Sequence, residues 1–268
     1  MSSLLDADVN LSLEEFSRHG GLDGPHKDGW GIAWYAERDV RLVKETEPAA
    51  GSACVRFIRE HPFSSSLVVS HIRKATQGEP ALRNCQPFVR ELGGAMHVFA
   101  HNGHLAQTRL RQRLVLGAFR PVGETDSEWA FCALLERLSK LWRGARRAPP
   151  LAQRFAIVAA FARDIRALGP ANFLYADGDA LFAHGHRRVH ADGGIRPPGL
   201  HLLSRRCRAG EGRLVTEGLS IDSRGAGEQH VVLLASVPLT EEPGWRPLDE
   251  GELICARRGK LTSSATAA

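Results

Sequence analysis

Short apolar runs bounded by Gly, Ser or Asn recur along the first hundred residues. Gly31-Ile32-Ala33-Trp34-Tyr35, Ser66-Leu67-Val68-Val69-Ser70-His71 and Met96-His97-Val98-Phe99-Ala100-His101 are each short and rich in β-branched or aromatic residues, a pattern that predicts buried strands. Residues 171–176 and 180–183 repeat the pattern on either side of Asp177-Gly178-Asp179, a hairpin turn signal. Val231 to Val237 predicts one more strand before Pro238. The period changes after Asp126-Ser127: apolar residues recur at helical spacing from Glu128 to Leu138, behind polar residues suited to capping. A second helix is expected over 151–168, stopped by Gly169-Pro170. Strands, then two helices, then strands predict an α+β protein of antiparallel sheets with helices packed on their faces. No repeat or composition break divides the chain, so 1–268 reads as a single domain.

Composition narrows the function classes. A 43% hydrophobic content over 268 residues suffices for a buried core. The longest apolar runs, such as 231–235, fall far short of the roughly 20 residues that a membrane span needs. Asp6 and Asp8 stand where a secretory leader would be basic and then apolar, so a cytoplasmic location is expected and a membrane partner is not. Lys plus Arg exceed Asp plus Glu only by 35 to 30, and the basic stretch 137–147 has only Trp142 as an aromatic companion. Nucleic acid is therefore not an expected partner. Cys54, Cys85, Cys132, Cys207 and Cys255 form no C-x-x-C pair, which predicts reduced, mostly buried thiols. His184, His186 and His190 have no carboxylate pair at ligand spacing, and neither a metal nor a cofactor is expected.

Four loop-mouth clusters carry candidate chemistry. Pro25-His26-Lys27-Asp28-Gly29-Trp30-Gly31 enters a strand through two glycines, as a simple joint or as a close approach to a ligand. Ser70-His71-Ile72-Arg73-Lys74-Ala75-Thr76-Gln77-Gly78 leaves a strand with an Arg whose fork suits a carboxylate, or a surface acid. His101-Asn102-Gly103 ends another strand; it is either a turn or a side-chain amide beside a backbone N–H, the donors of an oxyanion hole. In Gly123-Glu124-Thr125-Asp126-Ser127-Glu128, Asp126 or Ser127 could cap the helix, or Asp126 could anchor a ligand ammonium. Together these describe a pocket that reads both ends of an amino acid while cleaving its side chain, and glutamine fits.

The series HKDGWGIAWY, SHIRKATQG, AHNG and GETDSE resembles the class II glutamine amidotransferases, N-terminal-nucleophile hydrolases, and most closely their small stand-alone bacterial subfamily. The resemblance runs from the first residue to at least Pro238-Leu239-Thr240. It implies a four-layer α-β-β-α sandwich of two antiparallel sheets, and hydrolysis of glutamine to glutamate and ammonia through a γ-glutamyl thioester. By position it makes Arg73 the ligand of the α-carboxylate with Thr76 beside it, Asp126 the ligand of the α-ammonium, and Asn102 and Gly103 the oxyanion hole. Lys74 and Gln77 stand where sugar-amidating members commonly carry Trp and His. The expected partners are glutamine or a γ-glutamyl small molecule, and a separate protein that accepts the ammonia.

The nucleophile in that family is a cysteine at the first position of the mature chain, whose own α-amine serves as the base. Here the chain opens Met1-Ser2-Ser3-Leu4-Leu5, with no Cys before Cys54. One reading makes Ser2 the nucleophile after removal of Met1. The other aligns Met1 with the second Met of the stand-alone members, which open with Met-Cys and a few mostly apolar residues. An ungapped match back from His26 places Met1 roughly half a dozen residues past the expected Cys. On that reading 1–268 lacks its nucleophile and hydrolyses nothing. A catalytically silent amino-acid-binding or regulatory protein, and a γ-glutamyl hydrolase using Ser2, are the alternatives. A mid-chain thiol such as Cys85 lacks the adjacent amine and reads as structural.

Overall fold

The computed structural model describes residues 1–11, 28–61, 63–75, 77–207, 213–215, 219–223 and 228–266. Its strands are β1 (Ser2–Leu11), β2 (Trp30–Ala36), β3 (Asp39–Glu45), β4 (Phe63–Ile72), β5 (Phe88–Leu92), β6 (Ala95–Gly103), β7 (Ala171–Ala176), β8 (Leu181–His184), β9 (Arg188–Val189), β10 (Ile195–Arg196), β11 (His201–Cys207), β12 (Arg213–Val215), β13 (Leu219–Ser223), β14 (Gln229–Ala235), β15 (Arg246–Pro247), β16 (Glu252–Arg257) and β17 (Lys260–Thr266). The α-helices are α1 (Ala53–Glu60), α2 (Gln107–Arg113), α3 (Asp126–Trp142) and α4 (Leu151–Arg166).

Two large antiparallel sheets and a two-stranded β9–β10 ribbon result. The first runs β15-β11-β14-β1-β4-β2-β3, with the β12–β13 hairpin paired to the second half of β1, and the second runs β17-β16-β8-β7-β6-β5. Because strand side chains alternate between faces, each predicted strand contributes to two different cores. Ile32 and Trp34 pack outward with Val55 and Ile58 of α1, whereas Ala33 and Tyr35 turn inward. In the second sheet Val98 and Ala100 face the first sheet, while Phe99 joins Phe131 of α3 and Phe161 of α4. Four layers follow: α1, the first sheet, the second sheet, then α3 and α4. Small side chains at the centre, Ala33, Ala100, Ala176, Ala183 and Ala256, let the two sheets approach closely.

The two expected helices form, α3 around the buried stripe Phe131, Leu134, Leu135, Leu138 and Trp142, and α4 ending at Arg166, just short of Gly169-Pro170. Elements that the apolar pattern did not name include β1, β5, β11 and α1, together with β3, largely exposed at a sheet edge, and α2, which buries only Leu110. The hairpin β16–β17 lies past Thr240 and supplies two strands of the second sheet. Among the described residues no helix is long and apolar enough to cross a membrane.

The core also holds neutral imidazoles. His97 Nδ1 meets the Tyr175 hydroxyl at 2.7 Å, and His184 Nδ1 meets the Ala171 carbonyl at 2.7 Å. Burial lowers both rings below the usual histidine value, His184 to about 4. The unfolded chain therefore takes up protons below about pH 6.5 that the folded chain refuses, so stability is full above that value and declines towards pH 4. At pH 5 His184 alone is expected to cost about 2 kcal/mol relative to pH 7. Urea midpoints at the two pH values measure this, and equal midpoints would refute it.

Candidate active site

Arg73 leaves the end of β4 and is 3% exposed. Its backbone N–H donates to the Gly29 carbonyl at 2.8 Å, and Asp28 N–H donates back to the Arg73 carbonyl at 3.2 Å. Gly29 makes this joint possible: its φ is +114°, and a Cβ there would sit 2.6 Å from Cys85 Sγ. The Asp28 carboxylate accepts from Ala75 N–H at 2.7 Å, which fixes the start of the following loop. The Arg73 guanidinium donates to the carbonyls of Asp28 (3.2 Å), Gln77 (3.0 Å) and Gly78 (3.0 Å). The fork expected to face a carboxylate thus holds its own loop closed. Thr76 lies outside the described residues, as do Pro25 to Lys27.

Asn102 and Gly103 end β6, opposite Asn172 and Ala171 of β7. The Asn102 side chain is exposed, and one of its N–H groups donates to Ser236 Oγ at 2.9 Å, leaving a second N–H on the same amide. Gly103 cannot be replaced without movement: a Cβ would lie 2.0 Å from the Pro170 carbonyl and 2.7 Å from His101 Nε2. The β6 backbone behind the turn is gripped by Gln86, whose Oε1 accepts from His101 N–H at 2.6 Å and whose Nε2 donates to the His101 carbonyl at 3.1 Å.

Thr125, rather than Asp126 or Ser127, caps α3: its hydroxyl accepts from Glu128 N–H at 3.2 Å. Asp126 is the first helical residue, and its carboxylate accepts from Leu105 N–H at 2.6 Å and Ser127 N–H at 2.9 Å. Cap and anchor fall on adjacent residues, which the sequence pattern alone does not separate.

The three motifs converge through these bonds. Gln77 Nε2, on the Arg73 loop, meets His104 Nδ1 at 3.1 Å and the Leu105 carbonyl at 3.4 Å, and Leu105 N–H rests on Asp126. His101, beside Asn102, meets Ser127 Oγ through Nδ1 at 2.9 Å, and burial keeps its ring below the usual value. Asn84 and Arg83 bind Glu124, which tie the GETDSE segment to the loop after Gly78 and hold that carboxyl below its ordinary value.

Ser2 does not join them. It pairs with Leu67 of β4 and Val232 of β14, so six residues of strand, about 20 Å at 3.3 Å each, separate its level from Arg73. Its hydroxyl is buried and accepts from Gly259 N–H at 3.2 Å. Cys85 is buried with Sγ beside the Glu45 and Ala81 carbonyls, and burial raises its thiol, as befits a structural residue. His184 and His190 direct ring nitrogens at the carbonyls of Ala171 and Arg196.

The lane of β1 connects Ser2 with the site. Met1 exchanges backbone hydrogen bonds with Val68, at 2.8 and 3.1 Å. Its neighbours continue past that level, β4 to Ile72 and then Arg73, β14 to Ala235 and then Ser236, the partner of Asn102. Among the described residues no strand pairs with these two stretches on the side of β1.

Known proteins share the sequence pattern and the fold. The model of the family "Glutamine amidotransferases class-II" matches residues 1–268. The chain belongs to the class II glutamine amidotransferases. The Escherichia coli (strain K12) protein named "Putative glutamine amidotransferase YafJ" is 36% identical over 259 residues, 95% of each chain. A Haemophilus influenzae protein of the same description is 30% identical over 256 residues, 94% of this chain and 81% of its own. A crystal structure of a "predicted glutamine amidotransferase" from Pseudomonas aeruginosa PA01 superposes with a TM-score of 0.67 at 30% identity, covering 98% of this chain and 95% of that one. The amidophosphoribosyltransferase of B. subtilis shares the fold at 14% identity and TM-score 0.55, over 46% of its length.

Asn172 is a supporting residue that motif reading passes over, and His101 lies within AHNG without a role of its own there. For Asn172 the signal in the sequence is a polar residue inside an otherwise apolar strand.

Proposed function

We propose that this class II amidotransferase site hydrolyses the side-chain amide of glutamine, or of a γ-glutamyl compound, through a thioester on a cysteine carried ahead of Met1. The lane of β1 is the observation that supports this reading. In the antiparallel register a residue n positions ahead of Met1 opposes the residue n positions after Val68, so a cysteine about six positions ahead stands level with the Arg73 loop and near Asn102.

Arg73 holds the α-carboxylate, with Thr76 beside it, once its fork is released from the loop carbonyls. Asp126 holds the α-ammonium with the lone pairs left after its two backbone bonds. The thiolate attacks the amide carbonyl, whose oxygen takes the negative charge against the free Asn102 N–H and the Gly103 N–H. As collapse breaks the C–N bond, the α-ammonium, which carries the proton taken from the thiol, gives it to the amide nitrogen so that this leaves as ammonia, and water then cleaves the thioester to glutamate and the free thiol. The distance of Ser2 from Arg73 speaks against the serine alternative.

Ammonia release from glutamine by two polypeptides tests this: residues 1–268, and the same chain extended upstream by six residues that begin with the cysteine. The extended chain is expected to turn over and the shorter one to show background only. An extended chain that hydrolyses neither glutamine nor γ-glutamyl compounds would reject the reading. In the active form Arg73→Ala is expected to raise KM for glutamine at least tenfold, because charge-assisted bonds to a carboxylate are worth about 1.5–3 kcal/mol; an unchanged KM would remove Arg73 from its role.

A further inference from the structure

Behind the Asn102–Gly103 turn lies a second cavity, of about 270 Å³, that the glutamine reading does not use. Arg109 of α2, Arg166 at the end of α4, Gly169-Pro170, His186 and Arg187 line it, and its lining includes no carboxylate. Arg109 spends one N–H on the Ala167 carbonyl at 3.2 Å, and Arg187 meets Glu250 at 2.6 Å on the outside. His186 is 7% exposed, and its Nε2 stands 3.4 Å from Glu250. Burial, Arg187 and Arg166 hold this ring below its usual value against the pull of Glu250 and of the Gly169 backbone.

One wall of the cavity is fastened to the oxyanion turn. Asn172, 1% exposed, donates through Nδ2 to the carbonyls of Asn102 (2.9 Å) and Arg187 (2.7 Å), and its Oδ1 accepts from His186 N–H at 2.7 Å. The carbonyl of Pro170, another lining residue, accepts from His104 N–H at 3.1 Å. A displacement of His186 and Arg187 must therefore move Asn102 or break a buried amide bond.

We propose that this cavity binds a phosphate group, and that Asn172 transmits its occupancy to the Asn102–Gly103 turn. Several forked donors around one space suit a tetrahedral dianion, whereas a carboxylate is satisfied by a single fork. The volume exceeds that of phosphate alone, leaving room for a few carbons of an ester.

Isothermal titration of the chain with inorganic phosphate, and separately with glycerol 3-phosphate, at ionic strength fixed with NaCl, tests the site without any turnover and so independently of the amide-hydrolysis reading. Saturable binding of at least one probe is expected, the tighter one telling whether the free ion or the ester is the ligand. Arg109→Ala with Arg187→Gln, both at exposed positions, should weaken it at least tenfold. No saturable binding, or binding that the double variant leaves unchanged, overturns the site. In amide NMR spectra saturation should shift the Asn102 and Gly103 signals, and Asn172→Ala, or Asn172→Ser if the alanine variant is unstable, should abolish those shifts while binding persists. Signals that stay in place in the unsubstituted chain overturn the coupling.

Discussion

Asn102→Ala, in a chain that turns glutamine over, is expected to lower kcat by about 100-fold or more with little change in KM. The amide lies at the exposed end of β6, where one N–H already holds Ser236 Oγ and only the other can reach a ligand. A donor placed where charge develops strengthens its bond as the carbonyl oxygen becomes an oxyanion, so its loss appears in the transition state; removal of one such donor typically costs about 10²–10³ in rate. The β6 backbone keeps its position through Gln86 and through Asn172 on the Asn102 carbonyl, neither of which depends on the Asn102 side chain. Thermal unfolding of the variant should therefore match the parent within a few degrees. Near-normal turnover would exclude the amide from oxyanion stabilisation, and a rise in KM with kcat preserved would reassign it to substrate binding.

Arg154→Met is expected to destabilise the fold by about 3–5 kcal/mol, the usual cost of stranding a buried charge. Arg154 lies on the inner face of α4, 1% exposed, and donates to the Asp177 carboxylate at 2.7 Å, to Asp179 at 2.6 Å and to the Pro149 carbonyl at 2.8 Å. Asp177, 2% exposed, also holds the β7–β8 turn by accepting from Asp179 N–H and Ala180 N–H through Oδ1. Methionine fills the volume and leaves Asp177 without a counter-charge. Asn at position 177 would keep the Oδ1 acceptor and carry no charge, so Arg154→Met with Asp177→Asn should recover a large part of the loss. Urea unfolding of the single and double variants measures the difference; equal losses would mean that packing, rather than the ion pair, governs this site.

These residues show how far the sequence could be read. Each strand named from its apolar run forms, because a strand buried on both faces needs apolar residues whatever it packs against. Asp177-Gly178-Asp179 was legible as a turn, since turn chemistry is local. That Asp177 also receives Arg154 across 23 positions was not, because nothing near either residue encodes their meeting. The segments carrying Arg73, Asn102 and Asp126 were legible as loop mouths. Their joining through Gln77, Leu105 and Ser127 depends on how the sheets stack.

By itself the sequence determined the strands marked by apolar runs, the two long helices, and the family through four ordered motifs, since each of these follows from local periodicity or from residue types at fixed spacing. Tertiary structure alone decided that Ser2 stands far from Arg73, that Thr125 rather than Asp126 caps α3, and that Asn172 bridges the Asn102–Gly103 turn to a second cavity. Strand register and side-chain direction are fixed when distant segments pair, and a single residue of register changes every neighbour.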